Sequence, residues 1–448
     1  MSPRHAPQSE GAHPANAPPR DEVAVRRRWA ALVVGVTWIA LLATARTELF
    51  SNHTPQNHFA LQAEAWLEGR ADLGGPPPAY TRNDDFAVFS GRTWISFPPF
   101  PSLILLPFVW AAGSAEAVPD GAVFLALAPL APLFLFLALE RMRELGRHSH
   151  PSRVTAALAL VTALGTVFWF SAVQGTVWFA AHVVGTSLAA LFLFASVGAR
   201  NPLLAGAALG LALATRVPIA FAAPLFFFEL GWSAKRDETG GVDPIDLVKR
   251  AAWFAAPVAS VGLGLALYNT ARFRDPFEFG HRYLDVVWRP RMDRYGLFDR
   301  RYVGRNLGVM TSSLPFFGPD GRPKISPHGL ALWLTSPFLL WLARRRTARR
   351  AALPARRVLL LVATLVAAPN LLYHNTGWVQ FGYRFSNDFI VFLVAALALS
   401  LRRLPPSFWV AATLSALINA FGAVTFQRPG FERFYAKSGF ATVFEPDP

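Results

Sequence analysis

The sequence predicts an all-α polytopic membrane protein: about eleven transmembrane helices and two long extracytoplasmic loops that carry interfacial helices. Three observations carry this. The apolar runs are each roughly long enough to cross the ~30 Å hydrocarbon layer as a helix. Arginines follow every second run, and basic loops mark the cytoplasm under the positive-inside rule. The composition, 53% hydrophobic and only 16% charged with 38 Phe and 14 Trp, suits a chain solvated by lipid. The net charge of +15 would suggest nucleic acid in a soluble protein. Here loop arginines such as Arg344, Arg345, Arg346, Arg349, Arg350, Arg356 and Arg357 account for the excess, and nucleic-acid binding is set aside. The absence of cysteine excludes disulfides, zinc–thiolate sites and thiol nucleophiles.

Residues 1–25, rich in Pro, Ala and His, read as a disordered cytoplasmic tail. Arg26, Arg27 and Arg28 precede the first outward span, Trp29–Ala45. Its end, Ala43-Thr44-Ala45, resembles a signal-peptidase site; an uncleaved anchor is favoured because the run is long and further spans follow. The first outer loop covers 46–119, and Gly121–Leu139 returns to a loop holding Arg141, Arg143, Arg147 and Arg153. Val154–Phe170 pairs with Val177–Val197, and Leu203–Ala214 with Ile219–Leu230. Ala251–Asn269 exits into the second outer loop, 271–328. Gly329–Ala343, Val358–Leu372, Phe389–Leu401 and Phe408–Val424 complete the spans, so that 26–427 forms one membrane domain and 428–448 a short outer tail. Phe97–Ala112, which opens Phe97-Pro98-Pro99-Phe100-Pro101, is assigned to the outer interface, since counting it as a span would reverse every later loop.

The outer loops differ in sign. The first carries Glu48, Glu64, Glu68, Asp72, Asp84, Asp85 and Glu116 against four arginines; the second carries ten arginines and Lys324 against six acids. Carboxylates that activate an acceptor beside cations that hold a leaving phosphate are the requirements of group transfer from a phosphate. Solvated loop charge is the alternative. Gln56–Glu68 has an amphipathic pattern, with Phe59, Ala63, Trp66 and Leu67 on one face and Gln62, Glu64 and Glu68 opposite, and Gly69 ends it. It either lies on the membrane surface or packs on the bundle. The adjacent Asp84 and Asp85 are a candidate base pair, although most such pairs serve turns.

At these residues the chain resembles a known family. The helix ending Trp66-Leu67-Glu68-Gly69-Arg70, followed by Asp85…Gly91-Arg92-Thr93-Trp94…Phe97-Pro98-Pro99-Phe100-Pro101, is similar to the first outer loop of GT-C glycosyltransferases. Tyr268-Asn269-Thr270-Ala271-Arg272-Phe273, Pro276-Phe277-Glu278-Phe279-Gly280 and Trp378-Val379-Gln380-Phe381-Gly382-Tyr383-Arg384-Phe385 are similar to its bacterial branch, which uses polyprenyl-phosphate sugars. In layout the resemblance covers roughly residues 29 to 400. It implies sugar transfer on the extracytoplasmic face of a bacterial plasma (inner) membrane, with the N-terminus in the cytoplasm. One departure matters: many members carry an acid just before the amphipathic helix, where this chain has Gln56-Asn57-His58.

The expected function is therefore transfer of a sugar from a polyprenyl-phosphate carrier to an envelope lipid, glycan or protein acceptor. A transporter or lipid flippase, and a catalytically inactive partner in envelope assembly, are the competing readings. Asp85 first, Asp84 second, Glu48 behind them and His58 as another base are the candidate catalytic groups. Arg216, His281, Arg282, Tyr283, Arg384 and Asp388 are the candidate substrate-binding groups. Arg216 takes either a phosphate or a structural ion-pair partner, whereas Arg384 and Asp388, four apart, are expected to pair with each other. No cofactor follows from the sequence; a divalent cation, Mg or Mn, is the metal an outer carboxylate would hold. The expected partners are the lipid-linked donor, membrane lipid and an acceptor of unknown kind.

Overall fold

The computed structural model describes residues 20–82, 85–234, 241–286, 288–344 and 352–437. Six helices are long and apolar enough to cross a membrane: Asp21–Thr44, Asp120–Glu144, Val177–Ala199, Pro244–Phe273, Leu353–Leu372 and Pro406–Thr425. Phe100–Ala112, Ser152–Leu164, Pro202–Leu213, Val217–Trp232 and Ile390–Ser400 are apolar but shorter. The predicted tail and span meet differently from expectation, because Arg20–Thr44 is one helix and residues 20–25 belong to its first turns.

Proline and glycine explain where predicted spans break. Val154–Phe170 becomes Ser152–Leu164 and a short helix Phe168–Ala172, divided at Gly165. Gly329–Ala343 is not a continuous helix: Leu332–Thr335 ends before Pro337, and the rest is a 3-10 turn, Pro337–Ala343. Irregular backbone inside a bundle needs polar partners. They are present, since Ser336 Oγ donates to the Gly165 carbonyl at 3.0 Å and Asn419 Nδ2 donates to the Thr335 carbonyl at 2.7 Å.

Val177–Ser196 is the enclosed centre of the bundle, and Pro244–Phe273 lies on its rim with Trp253, Leu263 and Leu267 exposed. The rim helix is held against Pro202–Leu213 through Gly206 and Gly210, spaced as a small-xxx-small pair. A Cβ on Gly206 would collide with the Phe254 carbonyl and lie 2.7 Å from Pro257 Cγ.

Charged contacts separate the two ends of the bundle. At one end Arg26 pairs with Glu144, Arg147 with buried Glu229, and Arg356 donates to Ser400 Oγ at 2.7 Å. The opposite end gathers both long loops. There the helix His58–Leu67 is almost wholly buried, including Gln62, which donates to Tyr268 Oη at 3.1 Å and accepts from Ser102 at 2.6 Å. The expected polar face is thus partly an internal one, because the loop folds over it. Gly69, with φ +73°, follows the helix as predicted.

A hairpin not foreseen from sequence, Phe86–Phe89 with Arg92–Ile95, follows. Its two-residue turn, Ser90-Gly91, has φ of +52° and +72°, the left-handed turn that matches strand twist. Ala87 of this hairpin bridges Leu284 of the second loop, and Phe89 packs on Tyr283 at 4.6 Å and Phe273 at 5.8 Å. The two loops are therefore one body at one end.

Gly206→Val is expected to cost about 1–3 kcal/mol through overpacking. Thermal unfolding in detergent would show a lower midpoint for it than for Gly262→Val, whose Cβ meets nothing within 4 Å.

Candidate functional site

Asp85 opens the hairpin in a left-handed backbone conformation, φ +59°, that few non-glycine residues adopt. Its Oδ2 accepts a 2.6 Å hydrogen bond from Trp178 Nε1, at the start of the central helix. The loop carboxylate is thereby tied to the rigid core of the bundle.

Asp388 organises the floor beside it. The carboxylate is buried and accepts two hydrogen bonds from Arg216, Nε to Oδ1 at 3.0 Å and a terminal nitrogen to Oδ2 at 2.7 Å. Asn370 Nδ2 donates to the same Oδ2 at 2.9 Å, and His182 Nδ1 lies 3.3 Å from Oδ1. This corrects the expected Arg384–Asp388 pair. Residues 384–388 form a 3-10 turn rather than an α-helix, so a four-residue spacing does not place the two side chains together. It also answers the question left open for Arg216, which has an ion-pair partner.

Arg384 makes no ion pair among the described residues. It is 7% exposed, its guanidinium lies 5.2 Å from the Phe179 ring centroid and 5.8 Å from that of Phe385, and its Nε has no hydrogen-bond partner. Burial, reinforced by the charge of Arg216, pushes it down to about 9, while Asp85, Tyr373 and Asp388 pull the other way. The Asp85 carboxylate is thus one of the charges within electrostatic range of Arg384. A buried cation held mainly by two aromatic faces is an unsatisfied group, and an anion would satisfy it.

His281 is half-buried and near this floor. Burial, then Arg216 and Arg272, push its imidazole down to about 4, so it is neutral near pH 7. His374 follows, pushed to about 3 by burial, His281, Arg291 and Arg305, and both its ring nitrogens lack partners. Burial and the same two arginines push His328 to about 4.

Other candidates lie elsewhere. Arg282 is exposed and pairs with Glu278 at 3.3 Å. Tyr283 packs between Phe89 and Phe273. His58 is fully buried and stacked on Phe86 at 4.2 Å, a packing role rather than that of a base open to an acceptor. Glu48 is exposed in the turn Thr47–Phe50, with Arg46 and Arg428 as charged neighbours. Asp84 lies outside the described residues. Among the described residues no three His, Asp or Glu side chains gather as metal ligands. Sequence reasoning missed Trp178, His182, Asn370 and His374. Isolated polar residues within or just beyond apolar runs were the available signal for His182, Asn370 and His374; Trp178 gave none.

No family model matches the chain, and no curated protein matches it. Among solved structures it is similar to the oligosaccharyltransferase of Archaeoglobus fulgidus tethered to an acceptor peptide with the NVT sequon. The identity is 13% and the TM-score 0.48, over 93% of this chain and 60% of that one. The apo form gives 13% and 0.46 over 90% and 59%. The complex with an inhibitory peptide and a dolichol-phosphate gives 12% and 0.42 over 89% and 55%. The chain thus spans at most 60% of the length of these matched chains.

Asp388→Asn is expected to lower stability by about 3–5 kcal/mol, because it strips the partner from a largely buried guanidinium. Thermal unfolding in detergent would show this as a lower midpoint. A second expectation concerns acid. His281, His328 and His374 bind protons less readily folded than unfolded, so the unfolded state takes up more protons between about pH 6.5 and pH 4. Stability should fall as pH drops through that window, and His374→Phe should flatten the fall in a melting-temperature series.

Proposed function

We propose that the chain is a membrane glycosyltransferase that takes a sugar from a polyprenyl-phosphate carrier on the extracytoplasmic face of a bacterial plasma membrane. The acceptor is an envelope lipid, glycan or protein hydroxyl or amide, and the N-terminus lies in the cytoplasm. The observation that carries this reading is the Asp85 carboxylate, held by Trp178 on the first outer loop, within electrostatic range of the buried guanidinium of Arg384, which makes no ion pair among the described residues. Together these two groups offer a base and a seat for an anion at the loop-bearing end. The outer-loop motifs that resemble GT-C enzymes point the same way.

In the reaction, the acceptor atom attacks the anomeric carbon as the bond from that carbon to the phosphate oxygen breaks. The bonding pair leaves on the phosphate, and Asp85 takes the acceptor proton. Arg384 compensates the charge that develops on the phosphate, in surroundings where little water competes. Arg216, already neutralised by Asp388, supplies directed N–H donors rather than net charge. Neutral His281 adds a donor or acceptor at the edge without adding a charge.

Membranes bearing the Asp85→Asn protein should lose at least about 100-fold in transfer of label from a radiolabelled polyprenyl-monophosphate sugar, at normal protein yield. Arg384→Gln should weaken binding of a short-chain polyprenyl monophosphate about tenfold or more. Transfer and binding at wild-type levels in these variants would remove the reading.

A further inference from the structure

We propose that Trp178 is a positioning residue for Asp85: its indole N–H fixes the carboxylate against the start of the central helix and favours its ionised form. The proposal deepens the reading of Asp85 as the base and rests on it.

The geometry is specific. The Nε1–Oδ2 distance of 2.6 Å is short for an N–H donor, as hydrogen bonds to an ionised carboxylate tend to be. An indole N–H donates and never accepts, so the bond is made with an acceptor oxygen, which an ionised carboxylate always presents and a protonated one presents on one side only. Both ends of the bond are braced. Trp178 is the second residue of the central helix, whose start is tied to the first loop by the Val177 N–H donating to the Gln56 carbonyl at 3.1 Å. The His58 ring, stacked on Phe86 immediately after Asp85, lies 6.4 Å from the Trp178 ring.

Asp85 itself keeps a left-handed φ of +59° in a non-glycine residue, a conformation that persists where surrounding contacts determine it. Without the indole donor, the loop has less reason to hold that conformation, and the carboxylate less reason to stay ionised. Other titratable groups face Asp85 from neighbouring elements: Arg384 from the 384–388 turn and Tyr373 from the end of Leu353–Leu372. His58 is the nearby titratable group on His58–Leu67. All of them remain in the variants below, so a change common to both variants reads the loss of the indole N–H.

The test uses the full-length protein in lipid nanodiscs and needs no sugar donor. Dicyclohexylcarbodiimide reacts with protonated carboxyls, and peptide mass spectrometry reads labelling at Asp85 across a pH series. Trp178→Phe removes the donor and keeps an aromatic ring. Benzothienylalanine incorporated at position 178 keeps the shape of tryptophan and lacks only the N–H. Both are expected to raise the pH of half-labelling at Asp85 by about one unit, with exposed Glu116 as the unshifted internal reference. Trp178→Gln, which restores a donor, is expected to recover most of the shift. Labelling at the wild-type pH in both variants overturns the proposal, as does a shift in Trp178→Phe that the isostere does not share, because the ring and not the N–H would then be responsible. The reading of Asp85 as a base is judged separately by transfer in Asp85→Asn.

Discussion

One carboxylate, Asp388, settles the arrangement at the loop-bearing end. A charge withdrawn from water must be compensated, and Asp388 is compensated by groups from three other segments. Arg216 comes from the junction after Pro202–Leu213, His182 from the central helix and Asn370 from Leu353–Leu372. Each is drawn to the same two oxygens, so elements distant in sequence are fixed in mutual orientation. Because Asp388 is committed to Arg216, Arg384 keeps an uncommitted positive charge. A single choice of partner thus separates a structural arginine from one suited to an anion.

The second constraint is the join between the two long loops. The first loop cannot stand alone, since its helix and hairpin bury Phe59, Phe86 and Ile95 against the bundle. Tyr268 accepts from both Gln62 and Trp66, and its ring lies 4.1 Å from the Arg272 guanidinium, so the rim helix grips the loop helix. The Ala87–Leu284 bridge and the aromatic cluster around Phe273 add the second loop to the same body. Acidic and basic segments, opposite in net sign, lie side by side for that reason. Attraction between their exposed charges contributes little, because water and salt screen it.

Much of this was legible in the chain. Apolar run length and arginine placement located most of the long helices within a few residues, as with Val177–Ser196 and Pro406–Thr425. The helix before Gly69 was visible in its period of apolar residues. The hairpin was not, because Ser90-Gly91 is a turn signal only when both flanking strands are recognised, and each is four residues long. Pairing was the larger failure. Arg384 and Asp388 look adjacent on a helix, yet that stretch is a 3-10 turn inside the bundle. Arg282 and Tyr283, expected at a pocket rim from their position after Gly280, are respectively exposed beside Glu278 and packed on Phe89.

By itself the sequence determined the class of solvent each segment meets, and hence the helices and the two polar loops, because hydrophobic length and charge are summed along the chain. The tertiary structure alone decided which charge meets which. Asp388 reaches Arg216 across 172 residues and Trp178 reaches Asp85 across 93, separations that no local pattern records. Compensation of buried polar groups is a property of neighbours in space, and those neighbours exist only once the bundle has packed.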